Sequence, residues 1–175
     1  LQDVRLSCRA TRGQHKRLHD GALIRVGDSA PDFKMAKSDL SNFWLGETSG
    51  KKVVLNIFPS IDTSVCAMSV RRFNKIAAEH PDTLVLCISK DLPFAQRRFC
   101  AAEGLQNVIT LSDCRPASQF GQDYGVLMTS GVLDGLFARA VVVISPEGRV
   151  VYAAMTPDIT KEPDYDGAIK ALEKL

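Results

Sequence analysis

The sequence predicts an α/β fold in which a mixed central sheet is flanked by helices. From position 52 onward, apolar runs alternate with segments whose apolar residues recur at helical spacing, which is typical of alternating strands and helices. Turn residues such as Pro, Gly and Asp separate these runs. No linker, repeat or low-complexity tract interrupts the pattern, so we expect residues 1–175 to form a single domain.

The first half of this pattern predicts three strands and two helices. In chain order they are a strand over 53–58, a helix after the turn at 59–62, a strand over 84–89, a helix over 93–102 and a strand over 108–111. Val70, Phe73 and Ala77 follow i, i+3, i+7 spacing and should form the buried stripe of the first helix. Asp62 or Thr63 is expected to cap its start by accepting backbone N–H bonds.

The second half predicts a short helix, a hairpin and a final helix. These elements are a helix over 118–124, strands over 138–144 and 149–154, and a last helix with the apolar stripe Tyr165, Ile169 and Leu172. Gly125 should end the short helix, because glycine readily adopts the left-handed conformation found after helices. The turn sequence SPEG favours the hairpin. The complete order of elements suits a thioredoxin-like fold.

Charge and hydropathy argue against two kinds of partner. Lys and Arg total 22 and Asp and Glu total 20, so the net charge of +2 provides little attraction for nucleic acid or an anionic membrane. The sequence contains no apolar run close to the roughly 20 residues that span a membrane, and its first residues lack the apolar stretch of a secretion signal. We therefore expect a cytoplasmic protein that binds neither nucleic acid nor membranes.

Residues 1–24 differ from the rest of the chain because basic residues stand among few apolar ones. The basic residues are Arg5, Arg9, Arg12, Lys16 and Arg17. An N-terminal hairpin or arm packed on one edge of the domain is the favoured interpretation, with a nucleic-acid-binding arm as the alternative. Cys8, His15 and His19 form a weak zinc candidate without a fourth ligand, so no metal is expected.

Cys66 is the predicted reactive nucleophile. It falls in the first turn of a helix that directly follows a strand and the turn in PSIDTSVC. Free backbone N–H groups and the positive end of the helix dipole favour a thiolate at such a position. A less basic thiolate is also a weaker nucleophile, so thiolate formation alone gives a small gain in rate. If the substrate is a peroxide, the site must also stabilise charge on the departing oxygen.

Three further residues are expected to act with Cys66. Thr63 lies one helical turn before it, where its hydroxyl can accept from a peroxide and donate to the thiolate. Pro59 can shield the site from water and removes one competing N–H. Arg139 is the lone charge in ARAVVVI, and a buried charge is costly unless it is paired or used. It should either hold the thiolate and polarise the O–O bond, or extend to solvent at a strand edge.

The cysteine content favours redox chemistry or plain burial over structural disulfides. The five cysteines are Cys8, Cys66, Cys87, Cys100 and Cys114. Their number is odd, and the chain is too long to need disulfides for stability. Peroxide would leave a sulfenic acid on Cys66, which over-oxidises unless a thiol captures it. A second, resolving cysteine is therefore expected.

The candidates for this second cysteine differ in their surroundings. Cys100 lies on a polar helix beside Arg97 and Arg98, which should favour its thiolate. Cys87 lies in the middle of the apolar strand LVLCIS and is expected to be buried and inert. Cys114 falls in a predicted loop, as does Cys8. Spacing alone does not choose between Cys100 and Cys114.

Several of these motifs resemble a known family. PSIDTSVC carries the PxxxTxxC pattern of peroxiredoxins, while NIFPSIDTSVC, DLPFAQRRFC, GLQNVITLSD and EPDYDGAIKAL resemble the bacterial thiol peroxidases, an atypical two-cysteine branch. The resemblance covers roughly residues 25–175. It implies a thioredoxin-like fold, with Cys66 as the peroxidatic cysteine and Cys100 as the resolving cysteine of the same chain. Pro59, Thr63 and Arg139 match the remaining active-site positions.

The resemblance also implies a reaction and partners. Enzymes of this branch are antioxidant peroxidases that reduce hydrogen peroxide and, with preference, organic and lipid hydroperoxides. They are recycled by thioredoxin, are usually homodimers, and use neither metal nor haem. A sister group places its resolving cysteine five residues after the first, but position 71 here is Arg.

Two departures from the family leave questions open. Residues 5–24 match the family's N-terminal hairpin poorly, and Cys114 stands where an aromatic residue is expected, which leaves an alternative disulfide open.

Three other functions remain open on the sequence. The same cysteines could serve a redox sensor or a chaperone-like binding module. A general disulfide oxidoreductase on this fold normally needs a CxxC pair, and position 63 here is Thr. A non-catalytic domain would leave Thr63, Cys66 and the turn before them unexplained.

Overall fold

The computed structural model describes residues 21–175. The predicted N-terminal hairpin or arm, the basic cluster and the zinc candidate with Cys8, His15 and His19 lie outside these residues. The elements in chain order are β1 (Lys34–Lys37), β2 (Asn42–Trp44), a 3₁₀ helix (Leu45–Thr48), β3 (Lys52–Ile57), α1 (Ser64–Glu79), β4 (Thr83–Ser89), α2 (Pro93–Glu103), β5 (Val108–Ser112), α3 (Phe120–Asp123), β6 (Ala140–Ile144), β7 (Val150–Met155) and α4 (Tyr165–Leu172).

The seven strands form one mixed sheet in the order β2-β1-β5-β4-β3-β6-β7. Strands β3, β4 and β5 are parallel neighbours, whereas β1 pairs antiparallel with β5, and β6 pairs antiparallel with β3. Side chains alternate between the two faces of each strand, so the sheet contributes to two apolar clusters. Phe120 of α3 joins one cluster, while Phe73 of α1 and Leu172 of α4 join the other. The predicted mixed sheet with flanking helices is confirmed.

The register of the sheet places three segments of the chain together at one edge. Ile57, the last residue of β3, is paired with Ile88 of β4 on one side and with Ala140 of β6 on the other. The loop that follows β3 therefore lies between the segment leaving β4 and the segment entering β6. Binding sites of open α/β sheets commonly lie beyond the carboxyl ends of the parallel strands, where this loop is found.

Helix α1 has the predicted start and the predicted buried face. Thr63, rather than Asp62, is the N-cap residue, and its side chain accepts from the backbone N–H of Cys66. Val70, Phe73 and Ala77 are all buried. The helix is thus held against the sheet by its apolar stripe while its first turn faces the carboxyl end of β3.

The hairpin of β1 and β2 was not predicted. The two strands are short, with the sequences KMAK and NFW, and Lys34, Lys37 and Asn42 interrupt the apolar pattern. Backbone pairing of Ala36 with Ser112 of β5 adds the hairpin to the edge of the sheet.

The predicted hairpin of β6 and β7 is confirmed, but β6 begins at Ala140. Arg139 therefore lies immediately before this strand rather than within it. The short helix α3 is confirmed with tighter bounds than predicted, and Gly125 follows it with a φ of 67°. In the part of the chain that the structure covers, no helix is both long and apolar enough to cross a membrane.

Candidate active site

Cys66 lies in the first turn of α1 and is fully buried, with a side-chain exposure of 0%. Its Sγ atom is 3.4 Å from Nη2 of Arg139, which donates to it. Its backbone N–H donates to Oγ1 of Thr63 at 3.4 Å. The structure therefore brings together three of the residues that the sequence singled out.

Arg139 is 1% exposed, so the alternative in which it extends to solvent at a strand edge is wrong. The antiparallel register explains its position, because Ala140 pairs with Ile57 and the preceding residue lies beside the start of the loop that leads to Cys66. Nη2 also donates to the carbonyl oxygen of Ile159 at 3.0 Å, which fixes the guanidinium.

The guanidinium of Arg139 has hydrogen-bond donors that remain available to a ligand. Its Nε and Nη1 atoms are buried and have no hydrogen-bond partner among residues 21–175. Leaving a buried donor unpaired is costly, especially on a charged group. Because a guanidinium carries five N–H donors in one plane, these groups can donate to an oxygen beside the Cys66 sulfur.

Thr63 and Pro59 belong to the segment that leads from β3 into α1. The Oγ1 atom of Thr63 donates to the carbonyl oxygen of Ser60 at 3.2 Å and accepts from the N–H of Cys66. The structure does not show the predicted donation from Thr63 to the thiolate, because the Thr63 hydroxyl donates to Ser60 instead. The hydroxyl still has a lone pair that can accept from a peroxide O–H. Pro59 is buried in the loop between β3 and α1.

Sequence reasoning missed Asp91, which lies between β4 and α2. Its carboxylate accepts from the hydroxyl of Ser60, the backbone N–H of Ile61 and the hydroxyl of Ser89. A carboxylate two residues after a parallel strand, at the expected carboxyl edge of the sheet, is the signal that could have identified it. Nothing in the sequence indicated its partners, since Ser60 and Ile61 lie about thirty positions earlier.

Cys100 lies near the end of α2, half-buried beside a cavity of about 230 Å³. The cavity is lined by Lys37, Ser38, Asp39, Cys100, Leu105, Val108, Ile109 and Thr110. Burial raises the pKa of the Cys100 thiol, and a hydrogen bond with Thr110 opposes this shift. The folded arrangement thus favours the thiol form of Cys100.

The prediction that Arg97 and Arg98 favour the thiolate of Cys100 is therefore wrong for this arrangement. Both arginines are exposed and engaged elsewhere. Arg97 lies over the ring of Phe94, 5.9 Å from its centroid. Arg98 forms an exposed ion pair with Asp62 at 3.5 Å. Arg98, two residues before Cys100, points in a different direction on the helix, and Arg97 lies over Phe94, so neither gives Cys100 a cationic environment.

The two candidate redox cysteines lie on adjacent helices in different surroundings. Cys66 contacts Arg139, whereas Cys100 contacts Thr110, and the four cysteines in the described part of the chain are free. Arg71 of α1 forms a two-pronged ion pair with Glu103 of α2, with N–O distances of 2.7 and 2.8 Å. This pair links the two helices at the protein surface.

The remaining described cysteines differ in burial, as predicted. Cys87 is fully buried in β4, and its Sγ atom accepts from Nδ2 of Asn56 at 3.6 Å. Burial raises the pKa of Cys87 from its ordinary value of 9.0 to about 12. Cys114 is exposed in the loop after β5.

The raised pKa of Cys87 predicts a loss of stability at alkaline pH. The buried thiol stabilises the fold fully below pH 9, and this contribution is lost as the pH rises toward 12. Between these values, the free energy of unfolding of the wild type should fall by about 1.4 kcal/mol more per pH unit than that of Cys87→Ala. Urea unfolding of both proteins at several pH values between about 8 and 11 measures this difference in slope. Parallel pH profiles would contradict the prediction.

Comparison with known proteins identifies the family. The redoxin family model matches residues 25–169. A thiol peroxidase from Corynebacterium glutamicum is 49% identical over 152 residues, which cover 87% of this chain and 91% of the relative. A thiol peroxidase from Mycobacterium tuberculosis is 51% identical over 152 residues, covering 87% of this chain and 90% of the relative.

Comparison with solved structures agrees with this result. A peroxiredoxin-like protein from Aquifex aeolicus has a TM-score of 0.83 at 39% identity, with 90% of this chain and 91% of the other covered. A thiol peroxidase from Chromobacterium violaceum has a TM-score of 0.81 at 23% identity, with 89% and 90% covered, and supports the fold. The predicted thioredoxin-like fold and the predicted family are therefore confirmed. The chain belongs to the redoxin family and, within it, to the thiol peroxidases, which are oxidoreductases of the peroxiredoxin group.

Proposed function

We propose that this thiol peroxidase reduces hydrogen peroxide and organic or lipid hydroperoxides through a sulfenic acid on Cys66 and an intrachain disulfide between Cys66 and Cys100. The proposal depends above all on the 3.4 Å contact between the Cys66 sulfur and the buried Arg139. A buried cation with unpaired donors beside a helix-terminal sulfur can stabilise both the thiolate and the negative charge on the peroxide oxygen that departs when the O–O bond breaks.

In the first step, the Cys66 thiolate attacks one oxygen of the peroxide. An S–O bond forms as the O–O bond breaks, and the departing oxygen takes up, by way of solvent, the proton that Cys66 lost on ionisation and leaves as water or an alcohol. The free N–H groups of Arg139 stabilise the negative charge on that oxygen, and the lone pair of Thr63 orients the peroxide O–H. Buried Pro59 limits access of water to the loop. The product is a sulfenic acid on Cys66.

In the second step, the sulfur of Cys100 attacks the sulfur of the Cys66 sulfenic acid. The S–S bond forms, the S–O bond breaks, and the oxygen leaves as water. Cys66 and Cys100 lie in different surroundings on separate helices. We therefore propose that α1 and α2 move apart before this step, so that the two sulfur atoms can meet. The ion pairs Arg71–Glu103 and Asp62–Arg98 join the parts that must separate.

A dithiol must then reduce the disulfide, and we propose that thioredoxin does so in the cytoplasm. We also propose that the enzyme acts as a homodimer. Exposed apolar residues at the starts of both cysteine-bearing helices support a protein contact near the site. They are Met68, Leu92 and Phe94, which are 41%, 57% and 52% exposed. Exposed apolar groups of this kind commonly mark interaction surfaces.

Treatment with one equivalent of hydrogen peroxide tests the proposed disulfide. Non-reducing peptide mapping should find Cys66 joined to Cys100 within one chain, because the sulfenic acid is captured by the thiol on the neighbouring helix. Amide exchange at the first turn of α1 and the end of α2 should be faster in the oxidised protein. A Cys114→Ser variant is the control and should give the same disulfide. Unmodified Cys66, or a disulfide from Cys66 to Cys114, would contradict the proposal.

A further inference from the structure

Asp91 is held at the point where β4 ends and α2 begins, and its carboxylate connects this point to the loop before α1. Oδ1 accepts from the hydroxyl of Ser60 at 2.7 Å. Oδ2 accepts from the backbone N–H of Ile61 and from the hydroxyl of Ser89, each at 2.7 Å. Hydrogen bonds to an ionised carboxylate are about twice as strong as bonds between neutral groups.

These bonds continue from Ser60 to Cys66. The carbonyl oxygen of Ser60 accepts from both the backbone N–H and the hydroxyl of Thr63, each at 3.2 Å. The Thr63 hydroxyl in turn accepts from the N–H of Cys66. A shift of Ser60 would therefore change the direction of the Thr63 hydroxyl and the start of α1. Asp91 fixes Ser60 without contacting Cys66 itself.

Asp91 is connected to α2 as well. The Ser89 hydroxyl that donates to Asp91 accepts from Nε2 of Gln96 at 3.0 Å. Gln96 is fully buried on α2, one helical turn before Cys100, and also donates to the carbonyl oxygen of Leu111 at 2.9 Å. The carboxylate thus lies between the two segments that carry the redox cysteines.

We propose that Asp91 is a positioning residue that holds Ser60 and Thr63 in the arrangement in which Cys66 reacts with peroxide. The proposal rests on the functions proposed for Cys66 and Cys100. The same bonds oppose the opening that lets Cys66 reach Cys100. Loss of the carboxylate should therefore affect the two steps of the cycle in opposite directions.

The test is a rapid-quench measurement on the full chain with hydrogen peroxide, followed by thiol alkylation and mass spectrometry. This separates the rate constant for Cys66 oxidation from the rate constant for disulfide formation. In Asp91→Ala, the first rate constant should fall by about tenfold to a hundredfold, as expected for a misplaced reacting group. The second should rise above the wild-type value. Asp91→Asn, which keeps one acceptor oxygen, should lie between Asp91→Ala and the wild type.

The control is Asp123→Ala, which removes an exposed carboxylate from α3 and should leave both rate constants unchanged. If Asp91→Ala does not fold, Ser60→Ala removes one of the three bonds to the carboxylate, together with the acceptor of the Asp62 backbone N–H, and should shift both rate constants in the same directions by smaller factors. The positioning role would be overturned if both rate constants were unchanged. It would also be overturned if both rate constants fell and the free energy of unfolding fell with them. Absence of Cys66 oxidation in the wild type would instead overturn the proposed function, and this inference with it.

Discussion

Replacing Cys66 by serine should abolish peroxide reduction, both in the first turnover and in the steady state. A serine hydroxyl stays protonated at neutral pH, and neither a sulfenic acid nor a disulfide can form on it. Among residues 21–175, no other cysteine is hydrogen-bonded to Arg139, since Cys87 contacts Asn56 and Cys100 contacts Thr110. Steady-state peroxide consumption with thioredoxin and thioredoxin reductase measures the loss.

Cys100→Ser is the informative comparison for this experiment. It should still reduce about one equivalent of peroxide and then stop, because the Cys66 sulfenic acid forms but has no resolving thiol. Cys114→Ser is the matched control on an exposed cysteine and should turn over like the wild type. Sustained thioredoxin-dependent turnover by Cys66→Ser would show that another sulfur performs the reaction.

Replacing Arg139 by methionine should lower the rate constant of Cys66 oxidation by about a hundredfold to a thousandfold. This is the usual cost of removing one preorganised donor to a developing negative charge. The free energy of unfolding should change little or increase, because the wild-type arginine is buried with Nε and Nη1 unpaired among the described residues. Stopped-flow oxidation and urea unfolding of the same preparations measure the two effects.

Arg149→Met is the control for that variant. Arg149 is an exposed arginine in the turn between β6 and β7, where it donates to the carbonyl oxygen of Gly27. Its replacement should leave the oxidation rate unchanged. An Arg139→Met protein that is strongly destabilised but oxidised at the wild-type rate would show that Arg139 is structural.

The fold could be predicted from the sequence where a single segment contained the complete apolar pattern of a strand. Strands β3, β4 and β6 are buried on both faces and appear in the sequence as nearly continuous apolar runs. The hairpin of β1 and β2 lacks such a run, and its place in the sheet depends on pairing with β5, which follows it by about seventy residues. A pairing between distant segments leaves no local pattern to detect.

The same distinction applies to the site. Thr63 and Cys66 were predictable together because they lie one turn apart at a helix start. Arg139 was recognisable as a charge among apolar residues, but its contact with Cys66 depends on the register of β6 against β3. Asp91 was missed because its partners in the loop, Ser60 and Ile61, come from a distant part of the sequence.

The exposed ion pair between Arg71 and Glu103 bears on how long the enzyme survives in use. In the proposed cycle, the sulfenic acid on Cys66 waits until α1 and α2 separate, and a second peroxide arriving in that interval converts it irreversibly to a sulfinic acid. The average number of cycles before inactivation is then the ratio of the opening rate to the rate of that second attack. A tighter contact between the helices would shorten the working life of the enzyme at high peroxide concentration, and a looser one would lengthen it.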